Sequence, residues 1–324
     1  MSSTAQIVFG GNPFQNEFFG DLEMKRQALE ALHAEGVKEI DTASGYAASE
    51  ANLGKLHAAE LFTLHSKFTG DDPETPTEEK IIATALESLK KTGADQFGIY
   101  YIHAPDPRIP FKTLISAIHT LHQTGIINRF GLANFLPAQV EEVIRIANEN
   151  NWIKPTVYQG PYSAITRRAE TELFPILRRH GIAFYAYSPI AGGFLAKDPA
   201  NLDPKDGGRW DASTWVGSIY HLLFNKPRML QGLQVWGGIA NDAGVGKAEL
   251  ACRWILFHSA LRREAGDRII IGANNVEQLR ETLGFVGKGP LGVDWVERIE
   301  RVWGTVQQDA PFDAFHDGIL KWGR

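Results

Sequence analysis

A single cysteine, Cys252, stands among 324 residues, so no internal disulfide can staple the chain and a reducing, cytoplasmic setting is expected. No apolar run approaches the ~20 residues of a bilayer span, and "FGIYYIHA" is only strand-sized, so no membrane segment is expected. The opening "MSSTAQIVFG" lacks the charged segment followed by a long apolar one that a secretory signal needs. Basic residues form no stripe: 33 Lys and Arg against 38 Asp and Glu leave a net charge of -5, which argues against a nucleic-acid surface. Metal-ligand patterns are also missing. One histidine closes a predicted strand, no H-x-H occurs, and His119 and His122 share a helix face as a solvated pair, so no metal site is expected. The G-x-G-x-x-G turn of dinucleotide-binding sheets is absent from "IVFGGNPFQNEFFG", and "GVGKAE" fails the P-loop pattern and reads as an ordinary helix start.

What is present is ample core material, with 44% apolar against 22% charged residues. Short runs of β-branched and aromatic residues predict strands at 7-10, 38-41, 61-66, 97-103, 129-134, 156-159, 182-188 and 268-272. Helical patterns fill most of the gaps. In "TEEKIIATALESLKKTG" the residues Ile81, Ile82, Ala85, Leu86 and Leu89 recur at three and four, and Gly93 supplies a stop. Strictly alternating strands and helices demand parallel pairing with right-handed crossovers. Eight such units predict an α/β fold, a (β/α)8 TIM barrel in one domain over residues 1-324, with C-terminal helices. The rhythm breaks after the seventh strand, where the Gly-, Asp- and Pro-rich "AGGFLAKDPANLDPKDGGRWDASTW" reads as a long loop. Trp210, Trp215 and Tyr220 can wall a substrate pocket there, or simply pack the loop down.

Barrels of this kind carry their chemistry at the carboxyl ends of strands, so the residue closing each strand is informative. The second strand ends at Asp41, the third runs into Lys67, the fourth ends at His103, and "DTASGY" sets Tyr46 in the loop after the second. Singly each has a bland reading: a cap, a snorkelling lysine, a satisfied rim histidine. Together they form a proton-transfer set. A phenol with an ordinary pKa of ~10 is shifted towards neutrality by a nearby ammonium, a carboxylate holds that ammonium charged, and a neutral imidazole donates to a carbonyl oxygen. Carbonyl reduction needs this proton supply, and the hydride must then come from a cofactor. Asn134 and Gln159 can grip a planar carboxamide, Tyr187 can stack on a ring or be core, and the glycines of "AGG" can bring amides to a pyrophosphate or merely turn.

These residues resemble the aldo-keto reductases, whose D-T-A-x-x-Y, S-E and L-G patterns are matched by "DTASGY", "SE" and "LG", with "HSKFTG", "YYIHAPD" and "GLANF" following in order. The stretch from "WIKPTVYQGPYSAITRRAETELF" to "SPIAGGFLA", with "LRREAGDRIIIGANNVEQL", is most similar to the aflatoxin-aldehyde reductase branch. The resemblance implies NADPH-dependent (NADPH/NADP+) reduction of aldehydes or ketones, with Tyr46 as general acid, Lys67 and Asp41 tuning it, and His103 orienting the carbonyl. It also implies that Asn134, Gln159 and Ser188 hold the nicotinamide. Ile190, Gly192, Gly193 and Leu195 would then line the pyrophosphate segment, with Gly272, Asn274, Asn275, Gln278 and Glu281 on the adenosine side. The match departs from the family at a shorter link after Tyr46, at Gly272 and Gln278 where a Lys and an Arg often stand, and at Leu223 in place of a carboxylate-binding arginine. The last points to an uncharged small-molecule carbonyl substrate. An alternative within the resemblance is an NADP(H)-binding regulatory or sensor protein with little turnover, and the protein is expected as a monomer or homodimer.

Overall fold

A computed structural model describes residues 7–15, 19–70, 74–202 and 209–319. The start of the opening segment read for a signal and residues 203–208 of the long loop lie outside them. Eight strands, β1 Ile7–Gly10, β2 Glu39–Asp41, β3 Thr63–Phe68, β4 Phe97–Ile102, β5 Ile127–Ala133, β6 Pro155–Pro161, β7 Ala183–Tyr187 and β8 Arg268–Ile271, close into a barrel in sequential order. Each strand falls within two residues of its sequence-predicted start. The pairings of β1 through β6, and of β1 with β8, are parallel. Strands packed on both faces need apolar residues at every position, and β4 obeys this with Phe97, Ile99, Tyr100, Tyr101 and Ile102 all buried. Gly131 is required opposite: a Cβ there would lie 2.2 Å from the Tyr101 ring.

Five helices follow the first five strands in turn: α1 Leu22–Ala34, α2 Ser49–Lys55, α3 Glu78–Thr92, α4 Phe111–Gln123 and α5 Pro137–Glu149. The Thr77 hydroxyl caps α3 by accepting from the Lys80 amide at 3.3 Å, and Gly93 ends it in the left-handed region at φ 68°. The buried face of α3 is Ile81, Ala85, Ser88 and Thr92, whereas Leu86 is exposed. Ser88 turns inward because it hydrogen-bonds the buried Glu50. A polar partner therefore rotated the stripe that apolar spacing alone suggested.

Beyond β6 come the short α6 Ala169–Glu172 and α7 Phe174–Arg179. The stretch after β7 is only partly loop. Short 3-10 turns at Ala191–Ala196 and Pro199–Asn201 lead to α8 Trp215–Phe224, α9 Pro227–Asp242 and α10 Lys247–Phe257. "GVGKAE" starts α10 with Gly246 as its cap, the expected helix start. The C-terminal helices are α11 Val276–Val286 and α12 Val293–Val306.

The chain forms two compact units. One runs to Gln159 and takes in Ile176–Tyr185 and Arg263–Glu281, and the other comprises Gly160–Pro175, Ala186–Arg262 and the chain from Thr282 onward. In the second, α9 packs on α12, and a Cβ on Gly232 would meet Val306 at 2.4 Å, so glycine permits the close approach. In the first, the Arg178 guanidinium donates to both Asp267 oxygens at 2.9 and 2.5 Å, and the Phe184 amide donates to the same carboxylate at 2.8 Å. The Asp267 side chain is wholly buried. Asp267→Ala should therefore cost about 3–5 kcal/mol, the scale for breaking a largely buried ion pair, read as a fall in the urea midpoint at unchanged slope.

Candidate active site

After Asp41 the chain keeps its pairing with β3 for three more residues. The Thr42 amide donates to the His65 carbonyl at 2.8 Å and the Ser44 amide to the Lys67 carbonyl at 3.1 Å. It then turns, with Tyr46 N–H on Ala43 O at 3.0 Å, and Ala47 takes the left-handed conformation at φ 39°. The "SE…LG" pattern that follows is an anchor for this turn. The Ser49 hydroxyl donates to Gly11 O at 2.7 Å, the Asn52 amide to Phe14 O at 2.8 Å, and Ser66 donates to Glu50 at 2.5 Å. Leu53 is fully buried, and a Cβ on Gly54 would fall 2.0 Å from the Lys91 carbonyl, so α2 can meet α3 this closely only through glycine.

Lys67 is the hub. Its ammonium, fully buried, donates to Asp41 Oδ2 at 2.5 Å and to Thr42 O at 2.7 Å, and hydrogen-bonds the Tyr46 phenol. An ammonium has three protons and no lone pair, so these partners satisfy it, and the bond to Tyr46 runs from nitrogen to phenol oxygen. Burial pulls the Lys67 pKa down, but Asp41 and Tyr46 outweigh it and hold it above its ordinary value. Lys67 is thus charged. Asp41 is satisfied from the other side by Gln159, whose amide donates to Oδ1 at 3.0 Å.

His103 stands edge-on to Tyr46, ring centroids 5.7 Å apart at 77°, and its Nδ1 lies 3.2 Å from the Thr69 hydroxyl. Burial first, and the Lys67 charge second, lower its pKa to about 3, so the imidazole is neutral at physiological pH. Between about pH 3 and the ordinary value near 6.5, an unfolded chain binds a proton here that the folded chain refuses. This contribution is fully present above pH 6.5 and is lost as pH falls towards 3, by at most about 1.4 kcal/mol per unit. The unfolding free energy of His103→Gln, measured in urea at several pH values, should accordingly fall less steeply than that of the unsubstituted protein.

The structure brings Asp41, Tyr46, Lys67, His103 and Gln159 together. Asn134, left-handed at φ 58°, adjoins them: its side-chain amide donates to His103 O at 2.9 Å and its backbone amide to Gln159 O at 3.3 Å. Also in this unit, Gln278 accepts from the Asn274 amide at 2.8 Å while Asn275 accepts from the Gln278 amide at 2.8 Å, so both side chains cap α11. Gly272 and Glu281 are exposed beside them. In the second unit Ser188, Ala191, Gly192 and Gly193 all have positive φ, and Tyr187 and Ile190 are half-buried. The ring of Tyr220 lies where a Gly192 Cβ would be, at 2.0 Å. Trp210 is buried and its indole donates to Gly192 O at 2.9 Å, Leu195 is fully buried, and Trp215 is exposed on the first turn of α8. Two contributors escaped the sequence reading. Gln159 suits a carboxamide grip in the sequence but holds Asp41 as well, and Thr69, one residue past the end of β3, carries no sequence signal of its contact with His103.

A closed parallel barrel carrying an acid, a phenol, an ammonium and an imidazole at neighbouring strand ends has the architecture of a barrel oxidoreductase. The sequence matches the Aldo/keto reductase family over residues 6–303, and the chain belongs to that family. It is 34% identical over 315 residues to Oxidoreductase sirO of Leptosphaeria maculans, covering 94% of this chain and 95% of that protein. Human Aflatoxin B1 aldehyde reductase member 4 is 34% identical over 294 residues, 85% of this chain and 87% of its own, and human member 2 is 32% identical over 315, 90% and 87%. The protein is therefore an oxidoreductase of small carbonyl compounds that works with a nicotinamide cofactor. Among the described residues no helix is long and apolar enough to cross a membrane.

Proposed function

We propose that the protein reduces uncharged aldehydes or ketones to alcohols with NADPH, Tyr46 acting as the general acid. The observation that carries this reading is the saturation of the Lys67 ammonium by Asp41, Thr42 O and the Tyr46 oxygen. Because Lys67 donates to the phenol oxygen, the phenol keeps its own proton for another acceptor. As negative charge grows on a carbonyl oxygen, Tyr46 delivers that proton and the ammonium stabilises the phenolate left behind. Asp41 keeps Lys67 charged and aimed. His103, neutral, donates a hydrogen bond to the same oxygen and so orients the carbonyl.

The reduced nicotinamide supplies the hydride, which no side chain can. Two amide side chains, Asn134 and Gln159, stand next to each other at this rim and suit a carboxamide. Gln159 is pinned by Asp41, so it also ties the cofactor end to the proton-donating set. At α11, the exposed Gly272, Asn274, Asn275, Gln278 and Glu281 fit the adenosine side. In the second unit, taken by itself, Ser188, Ile190, Gly192, Gly193 and Leu195 form the segment suited to a pyrophosphate, with the Gly193 and Leu195 amides donating to Ile190 O at 3.0 and 3.3 Å, while Tyr187 offers a ring face and Trp210, Trp215 and Tyr220 a substrate wall. The names of the aflatoxin B1 aldehyde reductases favour aldehydes, and the buried Leu223 favours an uncharged one.

The cofactor reading is tested by initial rates with an aromatic aldehyde and either reduced nicotinamide. NADPH should be favoured by at least about tenfold in kcat/KM, equivalent to 1.4 kcal/mol. Equal values would show that the residues around Gly272 and Gln278 do not select the 2'-phosphate.

A further inference from the structure

Thr69 stands at the end of β3, and its hydroxyl oxygen meets three groups. The Gly45 amide donates to it at 3.1 Å, the Ser44 hydroxyl donates to it at 3.3 Å, and His103 Nδ1 lies 3.2 Å away. The Thr69 amide in turn donates to the Ser44 oxygen at 3.3 Å, so the two residues are joined by two hydrogen bonds. A threonine hydroxyl has two lone pairs and one proton. Gly45 and Ser44 take the lone pairs, which leaves the proton for His103. A nitrogen that accepts cannot carry hydrogen, so Nδ1 of the neutral ring is bare and the hydrogen sits on Nε2, which points away from Thr69.

We propose that Thr69 is a positioning residue that holds His103 in its Nε2-protonated form, so that the imidazole offers an N–H rather than a lone pair to the carbonyl oxygen. The role rests on the proposed function, because only a hydrogen-bond donor helps as negative charge builds on that oxygen. The opposite tautomer would place a lone pair there and repel it. Ser44 and Gly45 belong to the turn that carries Tyr46, so the same hydroxyl couples the proton donor's loop to the imidazole.

The tautomer is read directly, without cofactor or substrate, from two-bond nitrogen–proton correlations of 15N-histidine-labelled protein. The unsubstituted protein should show His103 protonated at Nε2. Thr69→Val should shift it towards Nδ1–H or a mixture, and Thr69→Ser should restore it. In turnover, Thr69→Val should lose about 10²-fold in kcat, the scale of one proton-transfer partner, with little change in cofactor KM, and Thr69→Ser should recover most of it. An Nδ1–H signal in the unsubstituted protein overturns the proposal. So does a Thr69→Val protein that stays Nε2–H, whatever its turnover, and so does a Thr69→Ser protein that shifts as far as Thr69→Val. If the signals follow Thr69 as stated but His103→Gln turns over normally, the positioning holds and the assignment of His103 to the carbonyl fails.

Discussion

Tyr46→Phe should lower kcat by about 10²- to 10⁴-fold, the range that a positioned general acid supplies, while leaving the affinity for NADPH nearly unchanged. The split follows from geometry. The phenol is half-buried at the rim and bonds Lys67, whereas the amides suited to the nicotinamide, Asn134 and Gln159, are held by His103 and Asp41. Removing one hydroxyl leaves those bonds intact. It does take one acceptor from Lys67, which should cost about 1 kcal/mol of stability. Stopped-flow turnover and a fluorescence titration of NADPH on the same preparation separate the two effects.

Lys67→Met should be worse for the fold as well as for turnover. With the ammonium gone, Asp41, whose side chain is 4% exposed, keeps only Gln159, and a buried carboxylate without its cation costs about 3–5 kcal/mol. Turnover should fall with it, because nothing then stabilises the phenolate. The double variant Asp41→Asn with Lys67→Met removes both charges. It should recover most of the stability and none of the turnover, which distinguishes the structural loss from the chemical one. Urea unfolding and steady-state rates on the four proteins of this cycle are the check.

The barrel was legible in the sequence because its strands are buried on both faces and so written as runs of β-branched and aromatic residues, β4 being the clearest. Asp41, Tyr46, Lys67 and His103 stood out because the fold places strand ends on one rim, and strand ends can be counted. What the sequence hid were partners separated along the chain. Gln159 reaches Asp41 across 118 positions, and no periodicity reports which way an amide points across a barrel. Thr69 was nearer to hand, one residue past the end of β3, yet a threonine in a polar turn carries no signal until the imidazole beside it is seen. The inward turn of Ser88 was hidden for the same reason: its partner, Glu50, lies on another helix. The "LG" pattern was visible, but its cause, a helix crossing too close for a side chain on Gly54, was not.

The central claim is that the Lys67-bound phenol of Tyr46 supplies the proton in a carbonyl reduction. It is tested most directly by following reduced-nicotinamide absorbance and alcohol formation together, with an aromatic aldehyde, for the unsubstituted protein and Tyr46→Phe side by side. The account predicts one alcohol formed per NADPH oxidised, at a rate that falls at least about 10²-fold in Tyr46→Phe while NADPH still binds. Equal rates in the two proteins would contradict it, and NADPH binding without oxidation in either would make the barrel a cofactor-binding regulatory protein instead.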